Sequence, residues 1–336
     1  MSIVYCLISS ASELPSSWDE MAQNYFQQRE FLSHTEKYNP CKQRYWLAEE
    51  GGVVKAGAVL YTLRLDLLTF LRLKSPVKMH IAGIPCSVSC PGFIGEQKYI
   101  ADLQNHIYEH QKGFALFLNL TSENPSTLKA HGTTLPTLIL KNRFASWNEY
   151  LSALRSGYRR RLMQILHEET DITVETNPCS SFTDEMHQQY LAVYHKSKDK
   201  LEKLTCDFFR FLPEHFRLTV CRKKEKVIGW NITVFHNKTM YFFLGGLDYS
   251  QNKNNSTYLR LLANIVKDGI ETGAEIIDLG QTAEIPKMRL GALPENRYME
   301  ARHSSKMFNV ILNSVQGMLS YKRQVPQVHV FREGLQ

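Results

Sequence analysis

The spacing of apolar residues along the chain switches repeatedly between a period near two and one near 3.6, as expected where strands alternate with helices. The first residues, through Ile8, read as a strand. Ser17-Trp18-Asp19-Glu20 has the Ser-x-x-Glu spacing of a capping box and predicts a helix running toward Phe31. Residues 44–48 and 53–63 then predict a hairpin turning at Glu50-Gly51-Gly52. A segment rich in Gly, Pro and Ser, 81–95, predicts loop or broken strand. A helix over 100–111 and buried strands over 114–120 and 135–140 complete an α/β first half.

The second half opens on another capping box, Ser146-Trp147-Asn148-Glu149, which predicts one helix through to Leu166. A strand at 172–175, a helix from Thr183 to Tyr194 and a short amphipathic segment at 206–212 follow. Three strands, 216–221, 227–235 and 239–244, are joined by tight turns into an antiparallel meander. A helix over 256–272 stops at Gly273. A strand at 275–279, another at 298–302 and a helix at 305–321 close the pattern. Both halves share a rhythm of helix, hairpin or meander, helix and buried strand. A duplicated architecture is therefore expected, with domains at 1–145 and 146–336.

Length and composition narrow the class. A chain of 336 residues allows about two domains of roughly 150 residues each. With 43% apolar and 22% charged residues it is neither disordered nor collagen-like, and 7 cysteines are too few for a disulfide miniprotein. The cysteines are odd in number, form no Cys-x-x-Cys and follow an N-terminus without signal-peptide features, so reduced thiols and a cytoplasmic location are expected. No membrane span is expected, because the most apolar stretch, 57–73, is interrupted by Arg64, Asp66 and Arg72. A net charge of +7 fits an anionic partner such as a phosphorylated cofactor or RNA.

The order of short motifs goes further. Tyr150-Leu151-x-x-Leu154 and Tyr158-Arg159-Arg160-Arg161 come first, then Gly245-Gly246-Leu247-Asp248-Tyr249 and Asn255-Ser256-Thr257-Tyr258-Leu259. Gly273, Ile277-Asp278-Leu279-Gly280 and Lys287-Met288-Arg289-Leu290-Gly291-Ala292 follow. From about Trp147 to Arg302 this series resembles the FemABX-like, tandem-GNAT acyltransferases, the group often labelled peptidoglycan biosynthesis or recognition proteins. The resemblance implies two GNAT-like (acyl-CoA N-acyltransferase) domains, each a mixed, mostly antiparallel sheet flanked by helices. It implies direct transfer of an acyl or aminoacyl group from acyl-CoA or aminoacyl-tRNA to an amine on a small molecule or cell-wall precursor. A ligand-binding module on the same fold, without catalysis, is the alternative.

The donor would sit against the helix starting near Ser256, whose first N–H groups would face phosphate, within a set formed by Leu244, Gly245, Asn254, Asn255, Ser256 and Thr257. Simple GNAT enzymes carry Gln/Arg-x-x-Gly-x-Gly/Ala before that helix. This chain has Gln251-Asn252-Lys253-Asn254-Asn255-Ser256, with no glycine, so its backbone is less free to wrap a pyrophosphate. That departure makes aminoacyl-tRNA, or an altered mode of CoA binding, the alternative to ordinary acyl-CoA.

Acyl transfer to an amine needs a group to take the ammonium proton and groups to stabilise the developing oxyanion. Asp278, at the end of a strand, is expected as the base or amine-orienting carboxylate, or else as a cap for the turn at Leu279-Gly280. Lys287 is expected near the reacting carbonyl or phosphate, and Tyr249 as a leaving-group donor or stacking ring; plain solvated or packed roles are the alternatives. Tyr158, Arg159 and Arg160 are expected at the substrate, although successive arginines cannot share one helix face. Lys196, Lys198, Lys200 and Lys203 add basic surface that could meet tRNA. His106-Ile107-Tyr108-Glu109-His110 matches a His-x-x-Glu-His zinc pattern, but no motif marks a third ligand, and no metal is expected.

Overall fold

In the computed structural model, which describes residues 2–66, 76–86, 88–122, 130–167, 171–197, 202–322 and 326–332, the first strand signal is β1, Val4–Ile8. Residues 67–73 of the apolar stretch, and Lys198 and Lys200, lie outside the described residues. Strands β1, β2 (Arg44–Glu50), β3 (Val53–Asp66) and β4 (Pro76–Ala82) pair antiparallel in succession. Short β5 (Phe93–Gly95) lies along β3, and β6 (Phe114–Leu120) runs parallel to β4. Helices α1 (Ser17–Met21), α2 (Arg29–Tyr38) and α3 (Gln97–His110) accompany them. The helix expected from Ser17 to Phe31 is broken, because Trp18 is buried beside Gly57 and its indole N–H donates to the Gln27 carbonyl at 2.8 Å. That bond needs the chain to fold back within nine residues, which a continuous helix does not do.

Strand β7 (Ala130–Lys141) leads into a second group of elements. Ser146 caps α4 (Trp147–Ala153) by accepting from the Glu149 N–H, as the capping box predicts. The helix does not continue to Leu166. Leu154 instead bridges to Phe331 and the Arg155 N–H donates to the Val330 carbonyl, so α5 (Ser156–His167) starts afresh. Four antiparallel strands follow: β8 (Ile172–Pro178), β9 (Phe216–Lys223), β10 (Lys226–His236) and β11 (Thr239–Leu247). Helices α6 (Asp184–Lys196) and α7 (Cys206–Arg210) lie between β8 and β9, and α8 (Tyr249–Asn255) and α9 (Thr257–Glu271) come after β11. Strand β12 (Ile276–Asp278) runs parallel to β11 and antiparallel to the end of β7, and α10 (Glu284–Met288) follows it.

The chain then returns. Strand β13 (Leu293–His303) pairs antiparallel with β6, and α11 (Lys306–Leu319) follows it. Two compact units result: Met1–Leu135 with Asn296–Lys322, and Pro136–Glu295 with Arg323–Gln336. This differs from a single cut between residues 145 and 146, because β13 finds its hydrogen-bond partners on β6, far upstream. Each unit has the same plan: four antiparallel strands, a parallel step (β4 to β6, β11 to β12), then one antiparallel strand (β13, β7). The fold is mixed α/β with mostly antiparallel pairing, as expected.

The core of the second unit shows why the meander was legible. Strand β10 is buried on both faces from Val227 to Val234, and apolar residues fill that run except at the buried Asn231 and Thr233. At its centre Trp230 is fully buried, stacks edge-on against Phe182 at 4.8 Å and donates its indole N–H to the Met186 carbonyl at 2.9 Å. Trp230→Ala is expected to cost about 3–5 kcal/mol, read as a drop in the urea midpoint at unchanged m-value. A loss below about 1 kcal/mol would show that the site collapses without a cavity. All seven cysteines are free thiols, five of them buried.

Candidate active site

The site is built where two parallel strands part. β11 and β12 are in register from Thr239↔Ile276 to Tyr241↔Asp278. Beyond that point the chain after β12 stays with β7, the Leu279 N–H donating to the Leu138 carbonyl and the Leu138 N–H to the Gly280 carbonyl. β11 instead continues to Leu247 on the β10 side, with a bulge beside Ile232 and Thr233. In α/β sheets, the carboxyl ends of strands that diverge in this way form the crevice in which ligands bind.

Asp278 stands at that end, nearly buried. Its Oδ1 accepts from Thr137 Oγ1 at 2.9 Å and from the Gly280 N–H at 2.7 Å. It therefore caps the turn, one of the two roles open to it from the sequence. The following loop is strained: Gly280, Thr282 and Ala283 all have positive φ, of 69°, 62° and 48°. Helix α10 then swings Glu284 and Lys287 inward, and both are buried. Lys287 Nζ donates to the Gln281 carbonyl at 2.6 Å and to the Gly280 carbonyl at 3.2 Å, and lies 5.5 Å from the centre of the Phe242 ring. Lys287 is thus a clamp on the strained loop, not a solvated side chain. Burial pushes its ammonium down to about 7, against the opposing pull of the Asp278 and Glu284 carboxylates.

The same neighbourhood reaches α8 and α9. Burial pushes the Tyr258 phenol well up, with further contributions from Tyr249 and Glu284. Tyr249 is partly exposed, burial raises its phenol, and Lys196 Nζ sits 3.8 Å over its ring. Asp278 and Lys287 therefore fall in one region of the second unit, together with Glu284, Phe242 and Thr137, which sequence reasoning missed, while Tyr249 lies under Lys196 at the start of α8. Thr137 precedes Asp278 by 141 positions, and no spacing rule connects them.

The expected donor cradle differs from the structure. Helix α9 does not begin as an open tip at Ser256, because α8 precedes it and Ser256 joins the two helices in a left-handed conformation, φ 49°. Asn252 Oδ1 caps the Tyr258 N–H at 2.9 Å, Asn255 takes a hydrogen bond from Lys223 Nζ at 3.0 Å, and Asn255 and Thr257 are buried. Asn254 is exposed, while Leu244 and Gly245 pair with Ile232 and Asn231 on β10. The asparagines read as caps from sequence are helical, because Asp248 supplies the N-cap seven residues earlier through its bond from the Ser250 N–H. Burial opposes the charge on Asp248, but hydrogen bonds from Lys226 and Ser250 outweigh it and hold the carboxyl below its usual range.

Tyr158 packs against the core, whereas Arg159 and Arg160 line a separate groove of about 500 Å³ with Ser156, Met163, Gln164 and His167. That groove includes neither Asp278 nor Lys287. His106 stacks on Tyr5 at 3.9 Å and on His110 at 4.0 Å. Among the described residues no group of three or more His, Cys, Asp or Glu is arranged to hold a metal, and no helix is long and apolar enough to cross a membrane.

Residues 152–288 match the family model for the acetyltransferase (GNAT) domain. A comparison with curated protein sequences gives no match. Among solved structures the fold is similar to FemX, with a TM-score of 0.57 and 11% identity over 93% of this chain and 100% of that one. It is also similar to L-PGS from Bacillus licheniformis, with a TM-score of 0.51 and 10% identity over 85% and 94% of the two chains. A tandem GNAT protein from the clavulanic acid biosynthesis pathway gives a TM-score of 0.51 and 9% identity over 90% and 99%. At such identities the likeness is one of fold. The chain therefore carries an acetyltransferase (GNAT) domain at residues 152–288, within a fold similar to FemX and to tandem GNAT proteins.

Proposed function

We propose that the chain is an N-acyltransferase that moves an acyl or aminoacyl group directly to an amine, with the reacting groups at the carboxyl end of β12. The observation that carries this reading is the burial of Asp278 and Lys287 together where β11 and β12 part, inside a GNAT acyltransferase-type fold. Asp278 orients the acceptor ammonium and takes its proton, and Lys287 holds the loop over which the acceptor approaches. Tyr249, at the partly exposed rim, supplies a phenol for the leaving group.

The fold family implies acyl-CoA, but the residues present do not fit a pyrophosphate on the first turn of α9. That turn is covered by α8, whose Asn252 Oδ1 already takes the Tyr258 N–H, and Asn255 and Thr257 beside it are buried. We therefore favour aminoacyl-tRNA as donor, with its phosphates met by Arg159 and Arg160 in the α5 groove. The acceptor is a small-molecule or cell-wall-precursor amine. One observation favours a second reading, a binding module without catalysis: the same covered turn leaves the usual donor cradle closed.

The test presents the full chain with aminoacyl-tRNA carrying a labelled amino acid, or with acetyl-CoA, and follows amide formation on a panel of amines by mass spectrometry. Label is expected to reach the amine from the tRNA, and Arg159→Glu with Arg160→Glu is expected to raise the apparent KM for tRNA about tenfold or more. Transfer from acetyl-CoA with the tRNA inert would overturn the donor assignment. Binding of an amine with no transfer from either donor would establish the module instead.

A further inference from the structure

Helix α11, in the first unit, carries its polar and apolar stripes the wrong way round. The side facing its own unit carries three polar side chains, Asn309, Asn313 and Gln316, with Leu312 partly buried among them. Asn309 Oδ1 accepts from the His303 N–H at 2.7 Å, and its Nδ2 donates to the His303 carbonyl at 2.7 Å. Gln316 Oε1 accepts from the His131 N–H at 3.3 Å, and Asn313 lies between them on the same face at helical spacing. The opposite face is open and begins apolar: Met307 is 66% exposed, Val310 67% and Ile311 51%, with exposed Ser314 following on the same side, its hydroxyl donating to the Val310 carbonyl at 2.9 Å. Phe308 forms the edge of that face, against His303 and Phe114. A helix solvated on its outer side has the reverse arrangement. A cluster of large apolar side chains that its own unit leaves uncovered marks an interaction surface.

Charge says what covers it. From Ala301 to Arg332 the sequence holds no Asp or Glu, while Arg302, Lys306, Lys322, Arg323 and Arg332 are basic. Lys306 and Lys322 are exposed at the two ends of the helix. Exposed Lys112 is brought alongside by the hydrogen bonds between Gly113 and Ser304, of 3.0 and 3.1 Å. A second copy is a poor occupant, because an antiparallel pair of α11 helices would set Lys306 against Lys322 with no carboxylate to offset either. An apolar stripe edged by lysines is instead the composition that sits at a headgroup boundary, with the lysine stems packed and the ammonium groups on phosphate.

We infer that the outer face of α11 rests on an anionic lipid bilayer. The 14-residue helix is about 21 Å long at 1.5 Å per residue, so it lies in the plane of the surface. Met307, Val310 and Ile311 enter the boundary region, and Lys112, Lys306 and Lys322 bind lipid phosphates. This inference stands independently of the transfer reaction.

Flotation of the full chain with vesicles tests it, using phosphatidylcholine mixed with phosphatidylglycerol and phosphatidylcholine alone. The chain is expected to float with the mixed vesicles and not with the neutral ones. Val310→Glu with Ile311→Glu is expected to lower the bound fraction about tenfold or more at an unchanged melting temperature, since both side chains are exposed. Val310→Ser with Ile311→Ser supplies the same reading should the acidic pair melt early. Absence of flotation on mixed vesicles overturns the inference, as does equal flotation of the Ser pair. So does a wild-type dimer that fails to float and that either pair converts to monomer, because the occupant is then a second copy.

Discussion

Asp278→Asn is expected to lower kcat about 10²–10⁴-fold with little change in KM or melting temperature. The amide retains an oxygen to accept from Thr137 Oγ1 and the Gly280 N–H, the two donors that Asp278 Oδ1 uses. Turn and strand end are therefore preserved. What the variant loses is the negative charge that orients an ammonium and the capacity to take its proton. Measuring kcat and the thermal midpoint on one preparation separates chemistry from folding. A fall in midpoint that tracks the fall in kcat would reduce Asp278 to a turn cap, and unchanged kcat would remove it from the mechanism altogether.

Lys287→Met should destabilise the second unit by about 1–3 kcal/mol at pH 8, because the Gly280 and Gln281 carbonyls lose the ammonium or amine that serves both. Its pH dependence is the sharper signature. Burial lowers the Lys287 pKa from 10.5 to about 7. Below pH 7 the folded and unfolded chains both hold the proton, and this group gives no slope. Between about 7 and 10.5 the unfolded chain holds a proton that the folded chain has released, so stability rises with pH. The slope reaches at most about 1.4 kcal/mol per pH unit. Urea midpoints from pH 7 to pH 9.5 should climb in the wild type relative to Lys287→Met, the gap widening with pH. Parallel curves would show that Lys287 keeps its proton throughout, held by Asp278 and Glu284.

Both predictions concern residues visible in the sequence, yet the reasons for their behaviour were not. The Ile277-Asp278-Leu279-Gly280 motif put a carboxylate at a strand end, and two roles for it were open. The choice depended on Thr137, which arrives through the pairing of β12 with β7. Lys287 looked as much like a surface lysine as a buried one. Its burial follows from a loop with three departures to positive φ within four residues, at Gly280, Thr282 and Ala283, and the identities of Thr282 and Ala283 do not announce that conformation.

The donor side shows the opposite case. The absence of glycine before Ser256 was plain in the sequence and pointed away from a wrapped pyrophosphate. That Asp248 would start a separate helix, and that Asn252 would turn back to cap Tyr258, needed the folded chain. Asn and Ser favour caps and turns but are also found inside helices, as Asn252, Asn254 and Asn255 are here, so their order alone does not select the role.

The chain's own residues determined the elements that local periodicity governs. Strand β6 follows from the apolar run Phe114–Leu118, β10 from the alternation of apolar and polar residues in Trp230–Val234, and α9 from the buried series Leu261, Leu262, Ile265, Val266 and Ile270. Side-chain period is a property of adjacent residues, and burial of one face enforces it. Tertiary structure decided where helices break, as at Leu154 opposite Phe331, and which distant strands complete each unit, as β13 does beside β6. It also decided that α11 turns its apolar stripe outward. These outcomes depend on hydrogen bonds and packing between residues tens to hundreds of positions apart, and no short-range pattern encodes which partner wins.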